Sequence, residues 1–305
     1  MKGKEIKAIH IASIAQSHQA LDIGKPRHPL FSILRIEDLA QVSVTERTRL
    51  TFDFYQVVLK KECPTKVQYG QTMYDFDEGV MSFFAPRQVT IVDPGDLFPK
   101  TGWILNIHPD FLRAYPLGQK IKEYGFFEYA VNEALILSEE EQQSVEHIFQ
   151  QIEQEYRLAI DHFSQDVLIA NLELLFTYAN RYYNRQFIVR KPGYHGLLAK
   201  LEDLLNTYFE TEVVQKGLPT VSYLATTLHL SPKYLSDVLK QLTGLTAQQH
   251  IHEKLIEKAK EKLAASGLSV SEIAYELGFE RPQSFSKFFK EKTSQSPMAF
   301  RARFN

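Results

Sequence analysis

A ten-residue motif occurs twice in the carboxy-terminal third of the chain, as VSYLATTLHL at residues 221–230 and as VSEIAYELGF at residues 270–279. The two copies lie 49 residues apart and share Val, Ser, Ala and Leu, with Leu/Ile and Leu/Phe as near matches. After one added residue the similarity resumes at a distance of 50 residues, where Lys240 matches Lys290. Self-similarity at a fixed period indicates that one supersecondary unit is present twice.

Each copy has the features of a helix-turn-helix. A small alanine lies in the first helix of both copies, where the second helix must cross closely. Gly278 suits the left-handed conformation of the turn, and we expect His229 to adopt that conformation in the first copy with more strain. A proline then begins each second helix. We predict helix-turn-helix units at about residues 219–243 and 269–293.

The apolar face of each second helix is expected to be buried, which leaves the opposite face for DNA. Lysines suit phosphate contacts, while glutamine and short polar side chains near a helix start can reach base edges. The residues predicted to contact DNA are Lys233, Tyr234, Ser236, Asp237, Lys240, Arg281, Gln283, Ser284, Ser286, Lys287 and Lys290. Ser236 and Gln283 are the candidate base readers. Because an acid repels phosphate, Asp237 either accepts a hydrogen bond from a cytosine amino group or pairs with a neighbouring lysine.

The stretch between the copies, residues 246–265, has helical periodicity. About 18 residues at 1.5 Å each span about 27 Å, close to one DNA turn of roughly 34 Å. Such a spacer could present both second helices to successive major grooves on one face of the duplex.

Charge is distributed unevenly along the chain, although the net charge is only −2. From Lys216 onward there are 13 Lys and Arg residues against 8 Asp and Glu residues, whereas residues 1–215 carry 22 against 29. A basic carboxy-terminal part behind an acidic front part favours a nucleic-acid partner for the former.

Over about residues 195–305 the sequence resembles the AraC family of bacterial transcription regulators. The matching motifs are IAYELGF at 273–279, QSFSKFFK at 283–290 and SPMAFR at 296–301. Ser294 stands where the family often has glycine, and His229 where a glycine or small polar residue is common. The resemblance implies an effector-responsive regulator that binds double-stranded promoter DNA and works with a small-molecule effector and RNA polymerase. It also implies a bacterial cytoplasmic protein that is associated with the nucleoid when bound.

Short β segments separated by turn residues dominate the front of the chain between Phe31 and His108. The predicted strands are residues 31–35, 54–59, 73–75, 80–84, 89–92 and 103–107. This pattern predicts a small barrel or sandwich. From Ser138 a capping-box motif and helical periodicity follow. The AraC resemblance implies that this part is a cupin-like sensor domain.

We therefore expect an α+β chain of two domains. Residues 1–190 would form a cupin-like β-barrel or sandwich to about residue 130, followed by helices over 138–184. Residues 191–196, which contain Pro192-Gly193, would be a linker. Residues 197–305 would be an all-α domain with the two helix-turn-helix units.

One predicted helix of the front domain, near residues 164–183, has an apolar stripe at spacings of three and four. The stripe consists of Leu168, Leu172, Leu175, Phe176 and Ala179. It predicts a homodimer through the front domain, with covering of the barrel as an equally good use of the same residues.

Two other classes of function compete with a regulator. A metal-dependent cupin enzyme needs several ligands, but His108 is the only histidine between Phe31 and Ala130. A DNA-repair protein would need a cysteine cluster, and Cys63 is the only cysteine. An architectural DNA-binding protein without a ligand would not need the large aromatic-rich front domain. We expect no enzyme activity, no catalytic or metal-binding residue and no cofactor.

No run of residues approaches the roughly 18 apolar residues of a membrane span, so no membrane partner is expected.

Overall fold

The computed structural model describes residues 7–39, 45–61, 67–69, 72–74, 79–94, 99–130, 133–159, 161–189 and 191–303. The chain forms two compact units, Met1–Gln186 and Phe187–Asn305, which we call the amino-terminal and carboxy-terminal units. A sheet-rich amino-terminal unit and an all-helical carboxy-terminal unit confirm the predicted fold class.

The amino-terminal unit contains two larger sheets and one hairpin. In chain order its elements are β1 (Lys7–Ile11), α1 (Ile14–Ala20), β2 (Phe31–Arg35), β3 (Thr48–Phe52), β4 (Tyr55–Lys61), β5 (Val67–Tyr69), β6 (Thr72–Tyr74), β7 (Val80–Phe84), β8 (Thr90–Val92), β9 (Thr101–Ile107), α2 (Pro109–Leu112), α3 (Leu117–Lys120), β10 (Leu135–Ile136), α4 (Glu139–Arg157) and α5 (Ser164–Val189). The five-stranded sheet has the order β10-β7-β4-β9-β2, and the three-stranded sheet has the order β1-β3-β8.

The five-stranded sheet is antiparallel throughout, and its central strands provide much of the core. Val57 of β4 lies opposite Phe83 of β7 and Leu105 of β9. All three side chains are buried, as expected of the inner face of a half-buried sheet. The five-stranded antiparallel sheet fits the predicted sandwich, whereas the three-stranded sheet is mixed, with β1 parallel to β3 and β3 antiparallel to β8. The cupin assignment stays a prediction.

Strands with a continuous apolar face are recognisable from the sequence, and β2 and β7 begin and end at the predicted residues. Four strands, β1, β3, β5 and β10, lie outside the predicted segments. In β1 and β3 most side chains are exposed or half-buried, so the alternation that marks a strand is weak. The five-stranded sheet also continues beyond residue 130, to β10.

Helix α4 begins as predicted. The hydroxyl oxygen of Ser138 accepts a hydrogen bond from the Glu141 amide at 3.3 Å, and the Glu141 carboxylate accepts one from the Ser138 amide at 3.0 Å. This reciprocal capping box satisfies two of the amide groups that have no partner within the helix.

The apolar stripe of α5 is buried within its own unit, so the prediction that this stripe mediates dimerisation is wrong. Phe176 packs edge to face against Phe127 with ring centroids 5.6 Å apart, and it also contacts Tyr124. The stripe therefore covers the aromatic core, which is the alternative use that the pattern allowed. Two other apolar side chains of α5, Val167 and Leu174, are exposed instead.

The carboxy-terminal unit is a bundle of helices with one apolar core. Its elements are the end of α5, α6 (Lys191–Thr211), α7 (Val213–Lys216), α8 (Val221–Thr227), α9 (Pro232–Thr243), α10 (Ala247–Ala265), α11 (Val270–Glu276), α12 (Pro282–Thr293) and α13 (Pro297–Arg301). The core includes Leu205, Leu224, Leu235, Ile251, Ile273, Phe285 and Phe289.

The segment expected to be a linker, residues 191–196, lies in helix α6. The boundary between the two units falls a few residues earlier, after Gln186 and within α5. Pro192 is compatible with a helix here because it lies in the first turn, where a missing amide leaves no hydrogen bond unmade.

Candidate nucleic-acid interface

The two sequence copies fold as two helix-turn-helix heads. The first head consists of α8 and α9, and the second head consists of α11 and α12. The turn residues have left-handed backbone conformations, with φ of 57° at His229 and 82° at Gly278. The expectation that His229 adopts the conformation of its glycine counterpart is confirmed, and it is unfavourable for a residue with a Cβ.

Side-chain caps fix where the first helix of each head begins. The hydroxyl oxygen of Thr220 accepts a hydrogen bond from the Tyr223 amide at 3.1 Å, and that of Ser269 accepts one from the Glu272 amide at 3.2 Å. Hydrogen bonds from the side chain and the backbone of Ser269 hold the pKa of Glu272 below its ordinary value. Glu272 is therefore charged at neutral pH and suits the helix start.

Thr243 matches Thr293 at the same distance of 50 residues, and the repeat continues beyond this pair. Gly244 and Ser294 end the second helices in the left-handed conformation, with φ of 81° and 59°. Thr246 and Ser296 then cap α10 and α13 through their hydroxyl groups. The sequence does not show this part of the repeat, because only the backbone conformation and the capping chemistry are shared, while the residue types differ.

The outward face of α12 is open to solvent, as predicted. Phe285 and Phe289 are fully buried, and Phe288 is partly buried against the same core. Exposed side chains on or next to this face are Arg281, Gln283, Ser284, Lys287 and Lys290, while Ser286 is half-buried. The pair between Lys287 and Glu291 is long, at 3.9 Å, and both side chains are mostly exposed. Solvent screens such a pair, so α12 presents a positive surface.

The corresponding face of α9 is more enclosed. Lys240 is exposed, whereas Lys233, Ser236 and Asp237 are half-buried. The ammonium nitrogen of Lys233 lies 3.2 Å from a carboxylate oxygen of Asp237. This pair agrees with one of the two roles that the sequence allowed for Asp237.

Tyr234 does not lie on the open face, so its prediction as a DNA contact is wrong. Its side chain is 0% exposed, and its ring packs edge to face against Phe187 with centroids 5.3 Å apart. Tyr234 is one residue before the buried Leu235 and four before the buried Val238, so it extends the buried side of the helix. The apolar pattern of the second copy, which has Ser284 at this position, gave no sign of this.

Helix α10 connects the two heads, as predicted for residues 246–265. Its 19 residues extend over about 28 Å at 1.5 Å per residue. One face, which includes Ile251, Leu255 and Leu263, is buried in the common core. Lys262 contacts Glu276 of α11 at 2.6 Å, which attaches the end of α10 to the second head.

Two histidines of α10 contact the heads. His250 lies 2.9 Å from the hydroxyl oxygen of Thr243, and the ring of His252 packs edge to face against Phe288. Burial lowers the pKa of both, and the nearby positive charge of Lys292 lowers that of His252 further. These two histidines therefore add little positive charge to the unit at neutral pH.

Among the residues that the structure describes, no three His, Cys, Asp or Glu side chains are grouped so that they could hold a metal ion. His108 follows β9 and caps α2 by accepting a hydrogen bond from the Asp110 amide at 3.2 Å. Cys63 lies outside the described residues.

A cavity of about 220 Å³ lies beside the start of α5 in the amino-terminal unit. Its lining includes Arg27, His28, Phe111, Tyr156 and Gln165. Tyr156 accepts a hydrogen bond from the Arg27 amide at 2.9 Å, which places its own hydroxyl proton elsewhere. The lining thus combines aromatic rings with hydrogen-bonding groups, as small-molecule sites commonly do.

None of the helices in the described ranges is both long enough and apolar enough to span a bilayer.

Comparison with known proteins supports the assignment of the heads. Residues 224–303 match the family model of the helix-turn-helix domain. The HTH-type transcriptional activator RhaS of Salmonella paratyphi B is 33% identical over 136 residues, which are 44% of this chain and 46% of RhaS. The bifunctional transcriptional activator/DNA repair enzyme AdaA of Bacillus subtilis is 29% identical over 99 residues, which are 32% of this chain and 46% of AdaA.

Among solved structures, the carboxy-terminal domain of the two-component response regulator yesN from Fusobacterium nucleatum subsp. nucleatum superposes with a TM-score of 0.29. It is 32% identical and covers 33% of this chain and 96% of that domain. The matched segments span a little less than half the length of the two curated relatives, at 46% of each.

Proposed function

We propose that this chain regulates transcription by binding specific promoter sequences with both heads, since its residues 224–303 are a helix-turn-helix domain of the AraC type. The observation that carries the proposal is the exposed basic face of α12, on a helix whose opposite face is locked into the core by Phe285 and Phe289. A rigid helix with a polar, positively charged outer face suits insertion into a major groove.

The outer face divides into two kinds of contact. Arg281, Lys287 and Lys290 would neutralise phosphates and supply affinity that is independent of sequence. Gln283 would form two hydrogen bonds to the major-groove edge of an adenine. Ser236 would contact a base edge from α9 in the same way. Because the heads are joined by α10, binding by both would require two half-sites about one helical turn apart.

The proposal is tested by selecting bound duplexes from a random DNA pool with the full chain. We expect enrichment of a site with two half-sites, bound at least about a thousandfold more tightly than unrelated DNA at physiological salt. The double variant Lys287→Ala/Lys290→Ala should weaken binding to every duplex, whereas Lys200→Ala, which changes an exposed lysine of α6, should not. Recovery of no common sequence would contradict the proposal.

A small-molecule effector is part of the same proposal. The cavity beside α5 offers the room and the mixed polar and aromatic lining that such a ligand needs. Screening small metabolites by thermal shift should yield a ligand that raises the melting temperature of the full chain. Hydrogen exchange should then show protection at residues 27–30 and 161–165, and protection elsewhere alone would exclude this cavity.

We also propose a homodimer through the other, exposed face of α5. Val167 and Leu174 are 40% and 44% exposed and lie seven residues apart, which is the spacing that pairs helices side by side. Sedimentation of the full chain should show a dimer at micromolar concentration, and Val167→Glu/Leu174→Glu should make it a monomer. A wild-type monomer would contradict this.

The proposed regulator would work with RNA polymerase as a partner and would act in the cytoplasm.

A further inference from the structure

The turn of the second head packs against helix α7. A Cβ placed on Gly278 would lie 2.8 Å from Cγ2 of Val213 and 3.0 Å from both the Val213 carbonyl oxygen and the carbonyl carbon of Gly217. Val213 is 2% exposed, whereas its neighbour Val214 is 70% exposed. The turn therefore contacts α7 so closely that no side chain fits between them.

Helix α7 is at the same time attached to the first head. Tyr223, on α8, donates a hydrogen bond from its hydroxyl group to Glu212 at 3.3 Å. The rings of Tyr208 and Tyr223 pack edge to face with centroids 4.9 Å apart, and the Tyr208 hydroxyl donates to the Gly217 carbonyl at 3.1 Å. Hydrogen bonds from Lys216 and Tyr223 hold the pKa of Glu212 below its ordinary value, so it is charged at neutral pH.

The difference between the two turns agrees with this contact. Gly278 and His229 occupy equivalent positions with positive φ, but only Gly278 faces α7. His229 is exposed, so its side chain extends into solvent at the cost of backbone strain alone. A residue with a Cβ at position 278 would meet both that strain and a backbone collision.

The two heads are thus joined at two separate places. Helix α10 is one connection, attached to the second head by Lys262 and Glu276. The contact of Val213 with Gly278 is the other, and Val213 lies outside the residues matched by the helix-turn-helix family model. Two separated connections resist a rotation that one helical connection would permit.

We propose that Val213 and Gly278 are positioning residues that lock the two heads in one relative orientation, so that the protein accepts only one spacing between DNA half-sites. The inference rests on the proposed function, because it concerns how the two heads bind DNA together. Neither residue contacts DNA in this proposal.

A change in the spacing between the half-sites tests how rigidly the two heads are held. Inserting one base pair between the half-sites moves the second by about 3.4 Å along the axis and rotates it by about 35° around it. Rigidly held heads cannot follow both displacements, whereas loosely held heads can follow part of them. The penalty for the insertion therefore measures how firmly the heads are locked.

The experiment compares Val213→Ala with Val214→Ala in the full chain. Binding is measured by fluorescence anisotropy to the duplex selected from the random pool, and to the same duplex with one base pair inserted. For the wild type and for Val214→Ala we expect the insertion to weaken binding at least about tenfold. Val213→Ala removes the Cγ2 methyl group that lies beside the turn, so for this variant we expect the insertion to weaken binding less than about threefold.

Hydrogen exchange supplies a second measurement that does not need DNA. Val213→Ala should speed exchange at the amides of residues 277–280, while those of residues 228–231 in the first turn keep their wild-type rates. Equal insertion penalties in all three proteins, or unchanged exchange at 277–280, would overturn the inference. If the wild type itself selects no site, the proposed function fails first, and the two failures are thereby distinguished.

Discussion

The ammonium group of Lys233 lies 3.2 Å from the carboxylate of Asp237, one turn further along α9. Both side chains are partly exposed, so the pair is worth at most about 0.5 kcal/mol. A nearby phosphate could compete for Lys233, since the pair costs little to break. The first head therefore carries a lysine whose charge is partly cancelled, whereas α12 of the second head presents its lysines with little compensation.

Replacing Asp237 with Asn should strengthen binding to DNA of any sequence. The change removes a negative charge from the outer face of α9 and releases Lys233, so we expect a gain of a few-fold at low salt that shrinks as salt rises. The measurement is titration of unrelated DNA at several salt concentrations. Glu257→Gln, which changes the charge equally in the Lys254 pair of α10, is the control and should have a smaller effect.

Replacing Lys240 or Lys290 with Ala should weaken binding to all sequences alike. Each exposed lysine is expected to contact one phosphate, so the log–log slope of affinity against salt should fall by about 1 in each variant. Fluorescence anisotropy titrations at salt concentrations from roughly 50 to 200 mM would measure the slope. Unchanged slopes in both variants would contradict the predicted DNA-facing sides of α9 and α12.

Replacing Gln283 with Ala should relax the choice of one base pair. Gln283 is exposed in the first turn of α12, where it can bond an adenine, so we expect a loss of about 1–3 kcal/mol on the preferred site and little change on unrelated DNA. Affinities for a set of single-base variants of the site provide the measurement. A uniform loss across the set, as expected for Lys290→Ala, would show a phosphate contact instead.

Replacing Glu153 with Gln should destabilise the amino-terminal unit at neutral pH. Glu153 is buried, and its carboxylate accepts hydrogen bonds from Arg35 at 2.6 Å, Arg157 at 2.6 Å and Trp103 at 3.2 Å. Removing this carboxylate leaves Arg35 only its longer pair with Glu37 at 3.5 Å, and it should cost about 3 kcal/mol. Urea unfolding followed by Trp103 fluorescence measures the free energy, and Glu140→Gln in the exposed first turn of α4 is the control.

The pH dependence of this contribution has a definite sign. Burial would raise the pKa of Glu153, but hydrogen bonds from Arg35 and Trp103 and the charges of Arg35 and Arg157 outweigh it and hold the pKa below its ordinary value of 4.5. The folded state therefore binds the proton less tightly than the unfolded state. The contribution is complete above pH 4.5 and is lost as pH falls through the lower folded pKa. The difference in the free energy of unfolding between the wild type and Glu153→Gln should therefore shrink as the pH falls below 4.5. A difference that stays constant down to about pH 3 would contradict this.

Replacing Gly278 with Ala should destabilise the carboxy-terminal unit more than replacing Gly244 with Ala. Both glycines have nearly the same φ, 82° and 81°, so both variants share the backbone strain. Only at Gly278 does a Cβ collide with α7, which should add about 2 kcal/mol. Chemical unfolding followed by far-UV circular dichroism compares the two variants, and equal losses would show that the turn can move away from α7 without cost.

Residue types and their spacing were enough to predict the repeated unit. The proline starts, the left-handed turn and the buried Phe285 and Phe289 all follow from local rules, because a helix-turn-helix is built from contacts close in sequence. The helix over residues 246–265 and the capping box at Ser138 were predictable for the same reason.

Other features depended on partners far away in the sequence. No local pattern showed that Tyr234 is buried, because its contact with Phe187 joins residues from different helices. The α5 stripe had two possible uses, and only the position of Phe127 and Tyr124 decided between them. The exposed strands β1 and β3 were missed because their backbone pairing, not an apolar alternation, holds them in place.

By itself, then, the sequence determined the duplicated heads, their outward polar residues and the order of a β-rich unit before a helical one. Each of these features is encoded in periodicity and turn chemistry over fewer than about 20 residues. Only the tertiary structure decided which residues share a surface and how the heads are joined. Helix α7 and the turn at Gly278 lie more than 60 residues apart in the chain. Their contact results from close packing in the folded unit, and neither stretch of sequence on its own indicates it.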